Sequence, residues 1–263
     1  MADTTDSIVG VTGTLDSKSK WAISPQFARR LLHRIWILAL ILLVLIVAFP
    51  VRFDSLRIIE VAAIAFIFVG ALILFWARRP VRYVLLFLGG FVGLAIAGPG
   101  RSDSPTDFRT DYIHSLEAYN GTTYIWGGET HLGIDCSGLM RCAYVDTCYR
   151  RGLLTANPGL IRDGLSMWWN DRSAKAISEG YRQESKTLFE AKDLNTLDIA
   201  RIQPGDMAVT GGGLHVMAYL GGGEWIEADP KEGKVIRART PNNKISWFSV
   251  GVTLVRWSRL DAR

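Results

Sequence analysis

The stretch Tyr124-Ile-Trp-Gly-Gly-Glu-Thr-His-Leu-Gly-Ile-Asp-Cys-Ser-Gly-Leu-Met-Arg141 decides the fold of most of this 263-residue chain. Its glycines favour tight turns ahead of Cys136. Asp135 has the position of a helix N-cap residue, whose carboxylate accepts a hydrogen bond from an early helical N–H. Apolar residues then recur at the spacing of one helix face, namely Cys136, Leu139, Met140 and Ala143. The pattern predicts a helix that begins at Cys136 and is capped by Gly152.

Cys136 would lie in the first turn of this helix, where unpaired backbone N–H groups stabilise a thiolate. The thiolate is the nucleophilic form of cysteine, so Cys136 is the predicted nucleophile. Cys142 and Cys148 follow at intervals of six residues, which places successive Cα atoms about 9 Å apart along a helix axis. That separation excludes a disulfide, and we expect both to be buried apolar residues.

Composition divides the chain into two parts. Residues 35–98 are almost continuously apolar, whereas residues 101–263 have the mixed composition of a soluble domain. The net charge of +5 belongs to the first 100 residues, because residues 101–263 carry 20 basic and 20 acidic side chains. A neutral soluble part argues against a nucleic-acid partner. No residues have zinc-ligand spacing, so no metal site is predicted.

Three apolar runs predict a membrane segment of three helices: Ile35–Val51, Ile58–Ala77 and Tyr83–Gly98. The alternative is two spans and one interfacial segment. Lys and Arg are enriched before the first run and between the second and third, which places those two segments in the cytoplasm. Three spans then put the soluble domain outside the membrane, whereas two spans put it inside.

The predicted division of the chain has four parts. They are a disordered cytoplasmic tail (1–30), a transmembrane segment (31–98), a linker (99–105) and a catalytic domain (106–263).

Within the soluble part, helix patterns cover Thr106–Tyr119 and Asp163–Glu179, and Trp168-Trp169 in the second is expected in the local core rather than in a cleft wall. Strand patterns follow after residue 202, at Met207–Thr210, His215–Leu220, Glu224–Ala228 and Val250–Trp257.

His215 is the predicted general base, because a cysteine nucleophile needs a nearby imidazole. A three-residue hairpin loop that pairs Leu220 with Glu224 would set Asp229 opposite His215 and Glu227 diagonal to it, on one face of the sheet. Either carboxylate could orient the imidazole ring, and spacing alone slightly favours Asp229.

Four motifs occur in this order: Tyr-x-Trp-Gly-Gly, Gly-x-Asp-Cys-Ser-Gly-Leu, Pro-Gly-Asp and His-Val-x-x-Tyr-Leu-Gly-x-Gly. Together they resemble the NlpC family, the papain-like cysteine peptidases of bacterial cell walls. The resemblance covers roughly residues 106–257. It implies an α+β, papain-like domain in which an antiparallel sheet packs on the Cys-bearing helix, here preceded by the transmembrane helical segment. Residues 153–200 are longer than the usual family connection and suggest an insertion.

The resemblance assigns Cys136 as nucleophile, His215 as general base and Glu227 as the third residue, a position where many members carry His. It gives Tyr124 an oxyanion role and places Asp135 and Ser137 along the substrate site. The implied function is a cysteine endopeptidase or amidase that cleaves peptidoglycan stem peptides. The three-span arrangement would place this domain on the outer face of a bacterial cytoplasmic membrane, and the reaction would need no cofactor. A different acyl-transfer or deamidating enzyme and a silent wall-binding protein are the alternatives.

Overall fold

The computed structural model describes residues 25–170 and 173–261. It opens with three long apolar helices, α1 (Pro25–Ala48), α2 (Asp54–Phe75) and α3 (Arg79–Ala97). The predicted tail 1–30 is wrong at its C-terminal end, because residues 25–30 already belong to α1. The charged side chains there do not interrupt the helix, since Arg has a high helix propensity. Residues 1–24 of that tail lie outside the described residues.

These three helices are long and apolar enough to cross a membrane. Only 6%, 17% and 0% of their apolar windows, in chain order, is buried within the protein. α1 and α2 pack together where Trp36 Nε1 donates to the carbonyl of Ile67 over 2.9 Å and its ring lies against Gly70. The remaining apolar surface has no partner in the described chain, and an exposed apolar surface of this extent is typical of an interaction site.

Four helices belong to the second part of the chain: α4 (Pro105–Ala118), α5 (Cys136–Leu154), α6 (Pro158–Trp169) and α7 (Ala174–Ser178). α5 continues through Gly152 to Leu154, so Gly152 is not the predicted cap. It instead allows α6 to approach closely, since a Cβ there would lie 2.6 Å from the side chain of Ile161.

The helix predicted at Asp163–Glu179 is also wrong, because the segment forms two helices, α6 and α7. Trp168 and Trp169 lie at the end of α6, and neither is buried in the core. Trp169 is 46% exposed, and Trp168 is half-buried beside a small cavity.

The main sheet has six antiparallel strands in the order β3-β8-β4-β5-β6-β7. They are β3 (Ser185–Ala191), β4 (Met207–Thr210), β5 (Val216–Gly221), β6 (Glu224–Asp229), β7 (Lys234–Arg239) and β8 (Val252–Trp257). A separate two-stranded ribbon, β1 (Glu129–Thr130) with β2 (Gly133–Ile134), precedes α5. β3 and β7 were not predicted, and β3 lies in the long 153–200 connection.

The β5–β6 hairpin turns through Gly222 and Gly223, with Gly221 paired to Glu224. The predicted pairing of Leu220 with Glu224 is therefore wrong, because the ladder shifts by one residue between Tyr219 and Gly221. Left-handed backbone at these glycines, with φ of 110°, 60° and 81° from residue 221 to 223, permits the tight turn.

The two faces of the sheet have separate cores. α4 and α5 cover one face, and their buried side chains pack on Val216, Ala218, Ile226 and Ala228. The other face carries Met217, Tyr219 and Trp225, packed with Phe248 and Leu254. α5 therefore lies across the strands that follow His215 and contain Glu227, which brings its first turn to the end of the hairpin.

Candidate active site

A glycine-rich loop, residues 125–135, leads into α5 and is fixed through Asp135. The carboxylate accepts hydrogen bonds from the N–H of Gly138 over 2.6 Å and from the N–H of Gly127 over 2.8 Å. Gly127 has φ of 71°, which favours glycine. Ser137 donates its hydroxyl to Asp135 over 3.0 Å. The predicted N-cap is confirmed, and both carboxylate oxygens are engaged in shaping the loop.

Cys136 is the first residue of α5 and is half-buried against the core. Its position exposes the sulfur to the N-terminal end of the helix, where the dipole and unpaired N–H groups favour negative charge. Cys136 lies close enough to His215 to raise the pKa of its imidazole. The helix and the hairpin thus bring together a thiol and an imidazole that lie 79 positions apart in the chain.

His215 lies immediately before β5 and is buried. Its Nε2 is 2.5 Å from Oε2 of Glu227, which is also buried. Desolvation lowers the pKa of His215, but hydrogen bonds and charge from Cys136 and Glu227 outweigh it and raise the pKa to about 9. Because Nε2 contacts the carboxylate, Nδ1 is the ring nitrogen left for the sulfur.

Asp229, the carboxylate that spacing slightly favoured, has a different contact. Its Oδ1 accepts a hydrogen bond from the N–H of Lys231 over 2.7 Å, at the turn that joins β6 to β7. The strand-body register, in which Ala218 pairs with Ile226, does extrapolate to Asp229 opposite His215. A backbone position opposite His215 is thus not the same as contact with its ring, which Glu227 makes from the diagonal position.

Trp247 forms a second support for the imidazole, and the sequence analysis missed it. Its ring stacks on that of His215 with centroids 4.6 Å apart and an angle of 17°. The turn before His215 packs on the inserted α7, since a Cβ at Gly213 would lie 2.4 Å from Lys175. Trp247 lies 32 positions from His215 in an irregular segment, so no sequence pattern links the two residues.

Tyr124 lies at the start of the glycine-rich loop, and its N–H donates to the carbonyl of Gly233 over 2.8 Å. Burial first, and then the negative groups at Cys136, Asp135 and Asp229, raise the pKa of Tyr124 to about 12. The phenol is therefore protonated at neutral pH and can donate a hydrogen bond near the sulfur.

The three cysteines are free, as predicted. Burial raises the pKa of Cys142 and of Cys148 far above the usual range, which keeps both as thiols. Cys142 donates its S–H to the carbonyl of Glu129 over 3.3 Å. Their surroundings make these two thiols unreactive.

The part of the chain that matches a known family is the domain that contains this site. The sequence model described as "NlpC/P60 family" matches residues 121–252, just over half of the chain. The chain belongs to the NlpC/P60 family. The family region contains Tyr124, Cys136, His215 and Glu227, and it begins after the three apolar helices.

Individual NlpC/P60-like proteins are distant. Dipeptidyl-peptidase 6 of Lysinibacillus sphaericus is 31% identical over 118 residues, which are 44% of this chain and 35% of that protein. This chain therefore matches about a third of that relative's length. An NlpC/P60 family protein from Bacillus cereus is 18% identical, with a TM-score of 0.39 over 62% of this chain and 42% of that one. The peptidoglycan hydrolase RipB from Mycobacterium tuberculosis is 23% identical, with a TM-score of 0.37 over 64% and 76%.

The family and the fold class predicted from the sequence are thus confirmed by the family match and by the observed sheet and helices. The domain is α+β, with an antiparallel sheet packed on the NlpC/P60 helix that begins at Cys136.

Proposed function

We propose that this protein is a membrane-anchored cysteine hydrolase that cleaves amide bonds in the stem peptides of peptidoglycan. The observation that carries the proposal is the buried, hydrogen-bonded pair of His215 and Glu227 beside a thiol at a helix N-terminus. This arrangement has the three parts of a cysteine nucleophile, a base and a group that orients the base.

The reaction begins when the Cys136 thiol gives its proton to Nδ1 of His215, and the sulfur attacks the carbonyl carbon. The backbone N–H of Cys136 and the hydroxyl of Tyr124 donate to the oxyanion that forms. The imidazolium, stabilised by Glu227, returns the proton to the departing amine, and a thioester remains. A water molecule, deprotonated by His215, then attacks the thioester and releases the acid and the free thiol.

Asp135 and Ser137 have a supporting role in this scheme. Asp135 fixes the approach to Cys136 by capping α5, and Ser137 donates to its carboxylate. Neither group is needed as an acid or a base. The family resemblance places both residues along the substrate site, and here the backbone of their turn would line that site.

Peptidoglycan is the favoured substrate because the chain belongs to the NlpC/P60 family, whose motifs imply a cell-wall peptidase. The predicted side of the membrane agrees with this substrate, which lies outside the cell membrane. Three spans and the cytoplasmic placement of the basic segments put the domain outside. The α1–α2 connection pairs with the domain, since Arg52 N–H donates to Gly127 over 3.0 Å. Three spans put that connection and the domain on the same side of the membrane.

The test is digestion of purified peptidoglycan by the full chain in lipid nanodiscs, with mass analysis of the released fragments. The Cys136→Ala variant should release none, whereas the matched control Cys142→Ser, which keeps a donor to Glu129, should equal the unchanged protein. Equal release by the protein and by Cys136→Ala would exclude the thiolate mechanism. If the unchanged protein and every variant leave peptidoglycan intact, but the unchanged protein cleaves simple amide or thioester substrates, the protein would be assigned to another class of acyl-transfer enzyme.

A further inference from the structure

The α1–α2 connection, residues 49–53, does more than join two apolar helices. Its backbone pairs with the glycine-rich loop: Arg52 N–H donates to the carbonyl of Gly127 over 3.0 Å, and Glu129 N–H donates to the carbonyl of Pro50 over 2.9 Å. Val51 and Gly128 form the antiparallel bridge between these two bonds. The membrane segment thus adds a short strand to the loop that precedes Cys136.

The pairing reaches the approach to the thiol through a single residue, Gly127. The carbonyl of Gly127 accepts from Arg52, and the N–H of the same residue donates to the carboxylate of Asp135. Asp135 is the N-cap of α5, whose first residue is Cys136. Only two residues, Gly127 and Asp135, therefore lie between the membrane segment and the nucleophile.

A buried ionic cluster reinforces this contact. Arg57, in the first turn of α2, is 1% exposed and places Nη2 at 2.7 and 2.8 Å from the two carboxylate oxygens of Glu129. Arg141, in the second turn of α5, donates to Oε1 of the same Glu129 over 2.5 Å. Cys142 holds the carbonyl of Glu129. One carboxylate thus joins the membrane helix α2 to the helix that begins at Cys136.

We propose that Arg57 is a positioning residue for the thiol: through Glu129 it fixes the glycine-rich loop and the first turn of α5, so that the membrane segment completes the catalytic unit. The inference rests on the proposed function for its consequence in turnover, but not for its effect on the thiol itself. A paired guanidinium and carboxylate at this burial hold their geometry strictly, because either group left alone would be an uncompensated buried charge.

The contact between α3 and α6 supplies a matched control. Arg162 donates to the carbonyl of Ile96 over 3.0 Å and to that of Gly98 over 2.6 Å. It therefore also ties the membrane segment to the domain by two hydrogen bonds from one guanidinium. None of these groups belongs to the glycine-rich loop or to α5, so its loss removes anchoring of the domain without loosening the approach to Cys136.

The experiment uses the full chain in nanodiscs and measures the rate of alkylation by iodoacetamide against pH, with Cys136→Ala as the blank. Arg57→Met leaves Arg141 and Glu129 as a neutral pair. We expect the rate at Cys136 to fall by about tenfold to 100-fold, because a misplacement of about 1 Å can cost on the order of 100-fold. Its pH profile should shift as the Cys136–His215 contact loosens. Arg57→Lys, which keeps the charge without the paired bonds, should be intermediate, and Arg162→Met should stay within about twofold of the unchanged protein.

An unchanged rate and profile in Arg57→Met would overturn the proposal, as would an equal loss in Arg162→Met. If Arg57→Met does not fold, Arg57→Lys takes its place under the same criterion, and an unchanged rate again counts against the proposal. Peptidoglycan turnover is measured in parallel. A protein that never cleaves peptidoglycan, but whose thiol reactivity depends on Arg57, would refute the proposed substrate and leave this inference standing.

Discussion

Replacing Glu227 by Gln tests the part of the site about which the sequence was least decisive. The substitution keeps the size of the side chain and removes its charge from a contact of 2.5 Å with Nε2 of His215. Both side chains are almost fully buried, so water cannot compensate for the lost anion. The imidazolium form of His215 therefore becomes less stable, while the cost of burying it is unchanged.

The size of the effect follows from the pKa of His215, which is about 9 against an ordinary value of 6.5. That rise corresponds to about 3 kcal/mol in favour of the imidazolium, at 1.36 kcal/mol per pKa unit. Desolvation opposes the rise, while Cys136 and Glu227 share in producing it. A loss of roughly half of it lowers the pKa of His215 by about one to two units and the rate by about tenfold or more.

The direction of the pH dependence follows from the protonation state of His215 that the proposed reaction needs. The reaction requires a protonated His215 to donate to the leaving amine, so activity is present below the pKa of about 9 and is lost as pH rises through it. In Glu227→Gln this alkaline limb should move toward about pH 7–8, so the variant loses more at pH 8.5 than at pH 6.5. Initial rates of peptidoglycan cleavage, measured from pH 5 to 10, give the limb directly.

Asp229→Asn is the matched control, because it neutralises the neighbouring buried carboxylate and still lets Oδ1 accept from Lys231. Its alkaline limb should remain near that of the unchanged protein. A limb that moves in Asp229→Asn and not in Glu227→Gln would transfer the orienting role to Asp229. Limbs that move in neither variant would refute the reasoning that a carboxylate sustains the imidazolium.

Three further predictions concern the oxyanion, the helix start and the membrane. Tyr124→Phe should lower kcat by about 100-fold with little change in KM, because one oxyanion donor is lost; equal kcat would remove the hydroxyl from the mechanism. Gly138→Ala should destabilise the domain by about 1–3 kcal/mol in thermal unfolding, because its Cβ would lie 2.3 Å from a backbone carbonyl oxygen of the glycine-rich loop. Gly211→Ala is the control and should be tolerated, because the nearest atom to a Cβ there is 3.9 Å away. Reporter fusions should give a cytoplasmic signal after residue 78 and an external one after residue 100; a cytoplasmic signal at both would contradict the three-span arrangement.

The parts of the fold that the sequence predicted are those specified by local chemistry. Asp135 caps α5 because the carboxylate of an Asp just before a helix accepts a hydrogen bond from an early helical N–H group. The strands of the hairpin alternate because one face packs on α4 and α5 and the other on a second core. The family motifs extend this local information to the whole domain, which is why the fold class could be named correctly.

The errors fall where tertiary contacts override local pattern. The segment Asp163–Glu179 has helical composition throughout, yet it divides into α6 and α7. α7 then packs on the turn that precedes His215. The hairpin loop was misplaced because three consecutive glycines satisfy either a two-residue or a three-residue turn. The strand-body register was unaffected, since the apolar alternation along β5 and β6 fixes it independently of the turn.

The three apolar helices show most clearly what a division by composition omits. An abrupt change from apolar to mixed sequence suggests an anchor and an independent enzyme, and charge patterning supports the same division. Yet Arg57, at the start of α2, is more deeply buried than most charged residues of the soluble domain, and its partner Glu129 lies within the motif that leads to Cys136. A charged residue so placed is costly without a partner. The pair therefore indicates that α2 and the glycine-rich loop form one folded unit. Excision of the soluble domain would leave Glu129, seven residues before Cys136, with Arg141 alone as its buried ionic partner.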